Sequence, residues 1–126
     1  MNNRTVGVIG SAVCGASVLC FAVSMIVGIF VNTLFFSCFA SMFIALGFML
    51  FICAVSGSNK DNEKRACGNV SLVCAAIYVT LIFLVYFAEC TTVNLSPRLD
   101  EKILSIIDYG HTGSLFFNYD LLGYGF

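Results

Sequence analysis

Asp120 is the residue of this sequence whose type and position most directly suggest chemistry. It stands two residues after Asn118, inside the apolar stretch 114–126. An ionisable group at membrane depth costs about 2.5–3.5 kcal/mol, so such groups usually face a bundle interior or a water path. Asp120 and Asn118 therefore suggest an intramembrane site for an ion, a proton or a polar ligand. The alternative is that Asp120 lies near the outer headgroups, held by Tyr119 or by a backbone cap.

The other reactive side chains show no pattern of a catalytic or metal site. The seven cysteines have no C-x-x-C spacing, and most stand in apolar runs, where cysteine behaves as a small hydrophobe. The one histidine, His111, has no partner at ligand spacing. The sequence has no H-E-x-x-H, G-x-S-x-G or phosphate-binding glycine loop. We therefore expect no catalytic residue, no cofactor and no metal, and a protein that is not an enzyme.

The amino-acid composition indicates whether the chain is surrounded by water or by lipid. The chain has 126 residues, of which 60% are hydrophobic and 10% are charged. A soluble protein of this size has a high surface-to-volume ratio and needs a polar surface, which so few charged side chains cannot form. The apolar residues must therefore face lipid. The net charge of −1 gives no basic field, so we expect no nucleic-acid partner.

Long charge-free runs predict the membrane-spanning segments. No charged residue stands between Thr5 and Asn59. The run is long enough for two helices of about 20 residues, the length that crosses a bilayer, and Asn32 and Thr33 break it near the middle. A signal peptide is the alternative for the first segment. The predicted segments are full spans over 6–30, 34–55 and 67–88 and a partial span over 114–126.

The predicted architecture is an all-α membrane protein with one transmembrane domain over 1–126. Its helices form an antiparallel bundle of three full spans plus a partial fourth. A short amphipathic helix is predicted over 97–109, in the third-to-fourth loop, because Ser96 can cap free amides and Pro97 fits the first helical position. The alternative is a polar loop with a few buried aliphatics. The apolar face that would lie on the membrane surface consists of Leu99, Ile103, Ile106 and Ile107.

Small residues recur every four positions on each predicted span. At this spacing they let helices approach closely where no hydrophobic effect drives them together. The alternative is chance, since small residues are common in these segments. The three predicted helix-packing stripes are Gly7, Ser11 and Gly15; Ser37, Ser41 and Ala45; and Cys67, Ser71 and Ala75.

A resemblance to a family emerges from three segments, NRTVGVIGSAVC, VYFAECTTV and LFFNYDLLGYG. Together they resemble an uncharacterised family of small bacterial multi-span integral membrane proteins. Members of that family look longer and carry further spans after the matching stretch, so the resemblance implies that this chain is a C-terminally truncated copy. The family has no biochemical role attached to it, so the resemblance implies no functional residue.

Basic residues predict the orientation in the cell membrane. Arg4 precedes the first span, and Lys60, Lys64 and Arg65 lie between the second and third spans, on the same side in an alternating topology. Lysine and arginine prefer cytoplasmic loops. We therefore expect a multi-pass cell-membrane protein with a cytoplasmic N-terminus.

Two functions remain open from the sequence. The first is a non-enzymatic membrane protein that acts through helix–helix association in the lipid bilayer, with other membrane helices or with itself. The second is a fragment of a transporter or channel with a polar path near Asp120. A third class, an intramembrane enzyme, has little support because no catalytic motif is present.

Overall fold

A computed structural model of the chain describes residues 2–58, 61–93, 100–108, 110 and 112–125. Over these ranges the protein is helical and has no strand, which confirms the all-α prediction. A π-helical turn over Glu89–Val93, called the π turn below, continues α3. The α-helices are α1 (Asn3–Val27), α2 (Leu34–Ser58), α3 (Asn62–Ala88), α4 (Glu101–Ile107) and α5 (Leu115–Tyr124).

Three helices are long and apolar enough to cross a membrane. α1 and α2 each have 25 residues, with mean hydropathies of 2.2 and 2.5. The third candidate span, Lys64–Val93, combines most of α3 with the π turn and has a mean hydropathy of 2.5. At 1.5 Å per residue, each of these helices exceeds the ~30 Å hydrocarbon core of a bilayer. The chain is therefore a membrane-embedded protein.

The connection between α1 and α2 is longer than the predicted three-residue break over 31–33. α1 ends at Val27 rather than at residue 30, and α2 begins at Leu34. Thr33 Oγ1 donates a hydrogen bond of 2.7 Å to Ser24 O, and Asn32 Oδ1 accepts one of 3.1 Å from Leu34 N. Ser24 O also accepts a 2.8 Å hydrogen bond from Gly28 N, so Thr33 adds a second bond to this carbonyl group. Asn32 pairs the first amide of α2, which has no partner inside the helix.

α3 extends beyond the predicted 67–88 at both ends. It begins at Asn62, where its first residues are polar and reach past the apolar stretch. At the other end the π turn carries the helix on to Val93, and Thr91 Oγ1 donates a 2.7 Å hydrogen bond to Phe87 O. Short π segments inside helices often occur at functional sites. Hydropathy alone does not signal such a turn.

The described part of each short helix covers only some of the predicted segment. α4 covers Glu101–Ile107 of the predicted 97–109, and the side chain of Asp100 caps it by accepting from Lys102 N. The predicted start at Ser96 and Pro97 lies outside the described residues, as does Leu99 of the apolar face. α5 covers Leu115–Tyr124 of the predicted 114–126. Its cap is Ser114, whose Oγ accepts a 3.0 Å hydrogen bond from Phe117 N.

The core lies between α2 and α3. Its buried residues are Cys38, Met42, Ala45, Ile82, Val85, Tyr86 and Cys90. α5 adds Phe116 and Tyr119 to the edge of this cluster. α1 packs mainly against α2, α2 against α3, and α3 against α5. Much of α1 is exposed, because its contacts are mainly with α2.

Candidate functional site

The Asp120 carboxyl group lies where α5 packs against α3. Its Oδ1 atom is buried and has no hydrogen-bond partner among the described residues. The side chain of Asp120 interacts with that of Tyr86, which comes from α3. Buried polar groups in proteins nearly always have a partner, so an unsatisfied carboxyl oxygen requires an explanation. This atom is the clearest candidate for contact with a ligand or with another chain.

Three tyrosines connected with one another lie at this contact of α3 with α5. They are called the tyrosine cluster below and are Tyr78, Tyr86 and Tyr124. The hydroxyl oxygens of Tyr86 and Tyr124 are 3.1 Å apart and share a hydrogen bond. The rings of Tyr78 and Tyr124 have centroids 6.2 Å apart. Phe48 of α2 meets the Tyr78 ring edge to face at 6.0 Å. The cluster therefore joins side chains from α3 and α5, and Phe48 adds a contact with α2.

Helical spacing explains why these residues meet. Tyr78 and Tyr86 stand eight residues apart on α3, with the core residue Ile82 halfway between them. Residues four apart share a helix face, so both tyrosines point toward the same neighbour. Asp120 and Tyr124 stand four residues apart on α5, so they also share a helix face. The spacing of these residues is visible in the sequence, but the sequence analysis singled out only Asp120 on α5 and not the tyrosines of α3.

Gly123 allows α5 to lie close to α3 at this site. A Cβ atom at position 123 would lie 3.4 Å from Leu81 Cβ, at ordinary van der Waals contact. A methyl group therefore fits at this position, and the buried Gly123 is part of the contact between α5 and α3.

Asn118, which was predicted to share a site with Asp120, lies elsewhere. Its side chain is exposed, and its Nδ2 donates a 3.0 Å hydrogen bond to Ser114 O. The two residues are two positions apart on a helix, which turns their side chains about 200° from one another. The structure therefore brings Asp120 to the tyrosines of α3 and α5 and leaves Asn118 at the start of α5.

Two open cavities flank the tyrosine cluster. The smaller has a volume of about 260 Å³, and its walls include Cys14, Phe48 and Tyr78. The larger has a volume of about 490 Å³, and Ser37, Ser41 and Tyr86 stand among its lining residues. α1 forms part of the wall of both. A small molecule that enters either cavity from the side of α1 would thus meet a tyrosine ring.

The predicted helix-packing stripes differ in their surroundings. On α2, Ser37, Ser41 and Ala45 are all buried, and Ser41 Oγ donates a 3.0 Å hydrogen bond to Ser37 O. On α3, Ala75 is buried, whereas Cys67 and Ser71 are exposed. On α1, Gly7 faces Ala54, while Ser11 and Gly15 are exposed.

The closest approach of two helices is made by Gly10 and Gly47, which the stripes did not include. A Cβ atom at position 47 would lie 2.5 Å from Cys14 N and 2.8 Å from Gly10 O. A Cβ atom at position 10 would lie 2.7 Å from Phe51 N. The neighbours are backbone atoms, so only glycine allows this crossing of α1 and α2. A glycine in the middle of a helix costs about 1 kcal/mol relative to alanine. The presence of Gly10 and Gly47 inside apolar helices was therefore the sequence feature that could have indicated a close contact.

The side chains of the site are suited to binding a cation. The described residues hold no group of three or more His, Cys, Asp or Glu side chains that could bind a metal ion. His111 lies outside those residues. A carboxyl group beside tyrosine rings and hydroxyls can attract a cation, through charge and through the negative faces of the rings.

No known protein family, curated protein or solved structure matches this chain.

Proposed function

We propose that the three long helices form an antiparallel transmembrane bundle. Support comes from both ends of the α1–α2 pair. Asn3 Nδ2 donates a 2.8 Å hydrogen bond to Gly57 O, which joins the start of α1 to the end of α2. Thr33 Oγ1 bonds Ser24 O near the opposite end of the pair. Contacts of this kind are those of two helices that run in opposite directions.

The contacts of α2 with α3 support the same arrangement. A Cβ atom at position 68, early in α3, would lie 3.2 Å from Ser56 Cα, near the end of α2. Cys90 Sγ, after the end of α3, donates to Phe35 O at the start of α2 over 3.8 Å. α5 then acts as a partial fourth span, because its 10 residues extend only about 15 Å.

The proposed orientation places the N-terminus in the cytoplasm. Arg4 lies at the end of the bundle where Asn3 meets Gly57, and Lys64 and Arg65 lie at the start of α3, which packs against the same end. The opposite end carries the acidic residues Asp100 and Glu101 and one described basic residue, Lys102. Since lysine and arginine favour the cytoplasmic side, this distribution supports a cytoplasmic N-terminus in the cell membrane.

The proposed role is non-enzymatic and rests on association between membrane helices, with a second copy of this chain as the partner. The observation that carries this proposal is the exposure of α1. In an apolar stretch of 18 residues, 6% of the residues of α1 are buried, against 39% in the corresponding stretch of α2. Ser11 and Gly15 are exposed on α1, on a face that another helix could approach closely. A face of small residues can pair with its own copy across a two-fold axis, the commonest symmetry of oligomers.

Sedimentation equilibrium in density-matched detergent tests this association. Gly15→Leu should give a monomer, because the added side chain separates the two copies, and no atom of the chain itself lies within 4 Å of a Cβ at this position. Ala16→Leu is the matched control, since it adds bulk on α1 about 100° around the helix. We expect dimers for the wild type and for Ala16→Leu. A wild-type protein that stays monomeric at all concentrations would contradict the proposal.

A second candidate function is cation binding at Asp120, as in a fragment of a transporter or channel. The buried Oδ1 atom without a partner among the described residues favours it. Tyr86 and Tyr124 add hydroxyl oxygens and ring faces beside the carboxyl group. A cation at this site would neutralise a charge that is costly to bury in a membrane.

Thermal unfolding with tetraphenylphosphonium and, separately, with sodium chloride tests the cation site. A ligand present at 100 times its Kd stabilises the folded state by about 2.7 kcal/mol. We expect stabilisation of the wild type by one of the two cations and none for Asp120→Asn. Asp61→Asn is the control, because Asp61 is exposed at the start of α3. Equal stabilisation of the wild type and Asp120→Asn would exclude Asp120 as the binding group.

A further inference from the structure

Cys38 and Cys90 differ from the other five cysteines of the chain because they are buried. Their exposed fractions are 1% and 4%, whereas the other cysteines are half-buried or exposed. Both belong to the same core cluster, one from α2 and the other from the π turn. The chain thus places two thiols in the contact between two helices, far apart in sequence.

The two thiols lie close to one another in this core, where the side chain of Cys90 interacts with that of Cys38. Cys90 Sγ also donates to Phe35 O over 3.8 Å, and Phe35 stands one helical turn before Cys38 on α2. The side chain of Cys90 therefore points at the turn of α2 that carries Cys38.

We propose that Cys38 and Cys90 form a disulfide bond that joins α2 to the π turn. The oxidant is a disulfide of another molecule, by thiol–disulfide exchange. One cysteine thiolate attacks a sulfur of that disulfide, which forms a mixed disulfide and releases one thiol. The second cysteine thiolate then attacks the first cysteine sulfur, which forms the Cys38–Cys90 bond and releases the second thiol. Two electrons and two protons pass in total from the cysteines to the acceptor.

The position of the pair agrees with this chemistry. Cys38 lies near the start of α2 and Cys90 follows the end of α3, so both are at the end of the helices opposite to Lys64 and Arg65. Under the proposed orientation that end faces the outside, where disulfides form and persist. Tyr86 lies one turn before Cys90, so the bond would also hold Tyr86 in the tyrosine cluster. Formation of the bond by an added oxidant does not depend on the proposed function.

Counting free thiols in membranes tests the disulfide. Membranes are treated with diamide, whose N=N bond takes up two electrons and two protons, or with a reductant. The protein is then denatured and labelled with a polyethylene-glycol maleimide. We expect seven adducts after reduction, because the chain has seven cysteines, and five after oxidation, because two are joined. Mass spectrometry should identify one cross-linked peptide that contains Cys38 and Cys90.

Alanine variants identify the pair. Cys38→Ala leaves six cysteines and should give six adducts under both conditions, and Cys90→Ala should do the same. Cys53→Ala changes a half-buried cysteine on α2 and is the matched control. It should give six adducts after reduction and four after oxidation. Seven adducts in the oxidised wild type, or a cross-link that joins any other pair, would overturn the proposal. Peptide mapping of the wild type decides the matter even if a variant fails to accumulate.

Discussion

A single methyl group added at Gly47 should weaken the packing of α1 against α2. In Gly47→Ala the new Cβ would lie 2.5 Å from Cys14 N and 2.8 Å from Gly10 O. Both neighbours are backbone atoms of α1, so no side chain can turn aside to relieve the clash. The two helices must therefore separate along the crossing, and contacts on either side of it are lost.

The size of this effect follows from two opposing contributions. Overpacking of a tight contact typically costs 1–3 kcal/mol. Alanine also gains about 1 kcal/mol over glycine in a helix interior. Because the clash at position 47 is with backbone on a second helix, we place its cost at the upper end, which leaves a net loss of about 2 kcal/mol. Such a loss lowers the folded-to-unfolded ratio more than tenfold.

Gly15→Ala is the matched control for this prediction. It makes the same change in the interior of a long helix, but nothing lies within 4 Å of a Cβ at position 15. Its stability should be unchanged or higher by up to about 1 kcal/mol. Both variants can be unfolded by SDS in mixed micelles and followed by tyrosine fluorescence. If Gly47→Ala unfolds at the same SDS fraction as Gly15→Ala, the proposed close crossing of α1 and α2 is wrong.

Two further substitutions test the core and the short fifth helix. Ile82→Ala removes a side chain that is 0% exposed and should cost about 2 kcal/mol in the same unfolding assay, whereas Leu84→Ala, at a site 46% exposed, should cost little; equal costs would contradict the assignment of the core. Ser114→Ala removes the cap that accepts from Phe117 N and should cost α5 about 1 kcal/mol, seen as faster amide exchange in α5 than in the wild type; unchanged exchange would show that the cap contributes nothing.

The long helices could be predicted because hydropathy over some 20 residues depends only on composition. A run without charge from Thr5 to Asn59 leaves few ways to satisfy the backbone in lipid other than two helices. The ends of the helices were less predictable. α3 begins at Asn62, ahead of the apolar stretch, because a helix can continue through polar residues once it leaves the membrane.

The residue spacing of one helix could not predict which other helix packs against each of its faces. The predicted stripe on α1 consists of Gly7, Ser11 and Gly15. Gly7 does face Ala54 of α2, whereas the close crossing of the two helices uses Gly10 and not Ser11 or Gly15. Residues 10 and 11 differ by about 100° around the helix, so the choice depends on where α2 lies, which a single helix does not encode. For the same reason Asp120 could be singled out as costly in a membrane, but its neighbour Tyr86 could not be named.

The central claim is that the chain crosses the membrane with its N-terminus in the cytoplasm. Ser58 ends α2 and Ser105 lies on α4, so one crossing by α3 should place them on opposite sides. Each is changed to cysteine in a variant that lacks the seven native cysteines, and intact cells are labelled with a membrane-impermeant maleimide. We expect labelling of Ser105→Cys in intact cells and of Ser58→Cys only after permeabilisation. Labelling of both in intact cells, or of Ser58→Cys alone, would contradict the account.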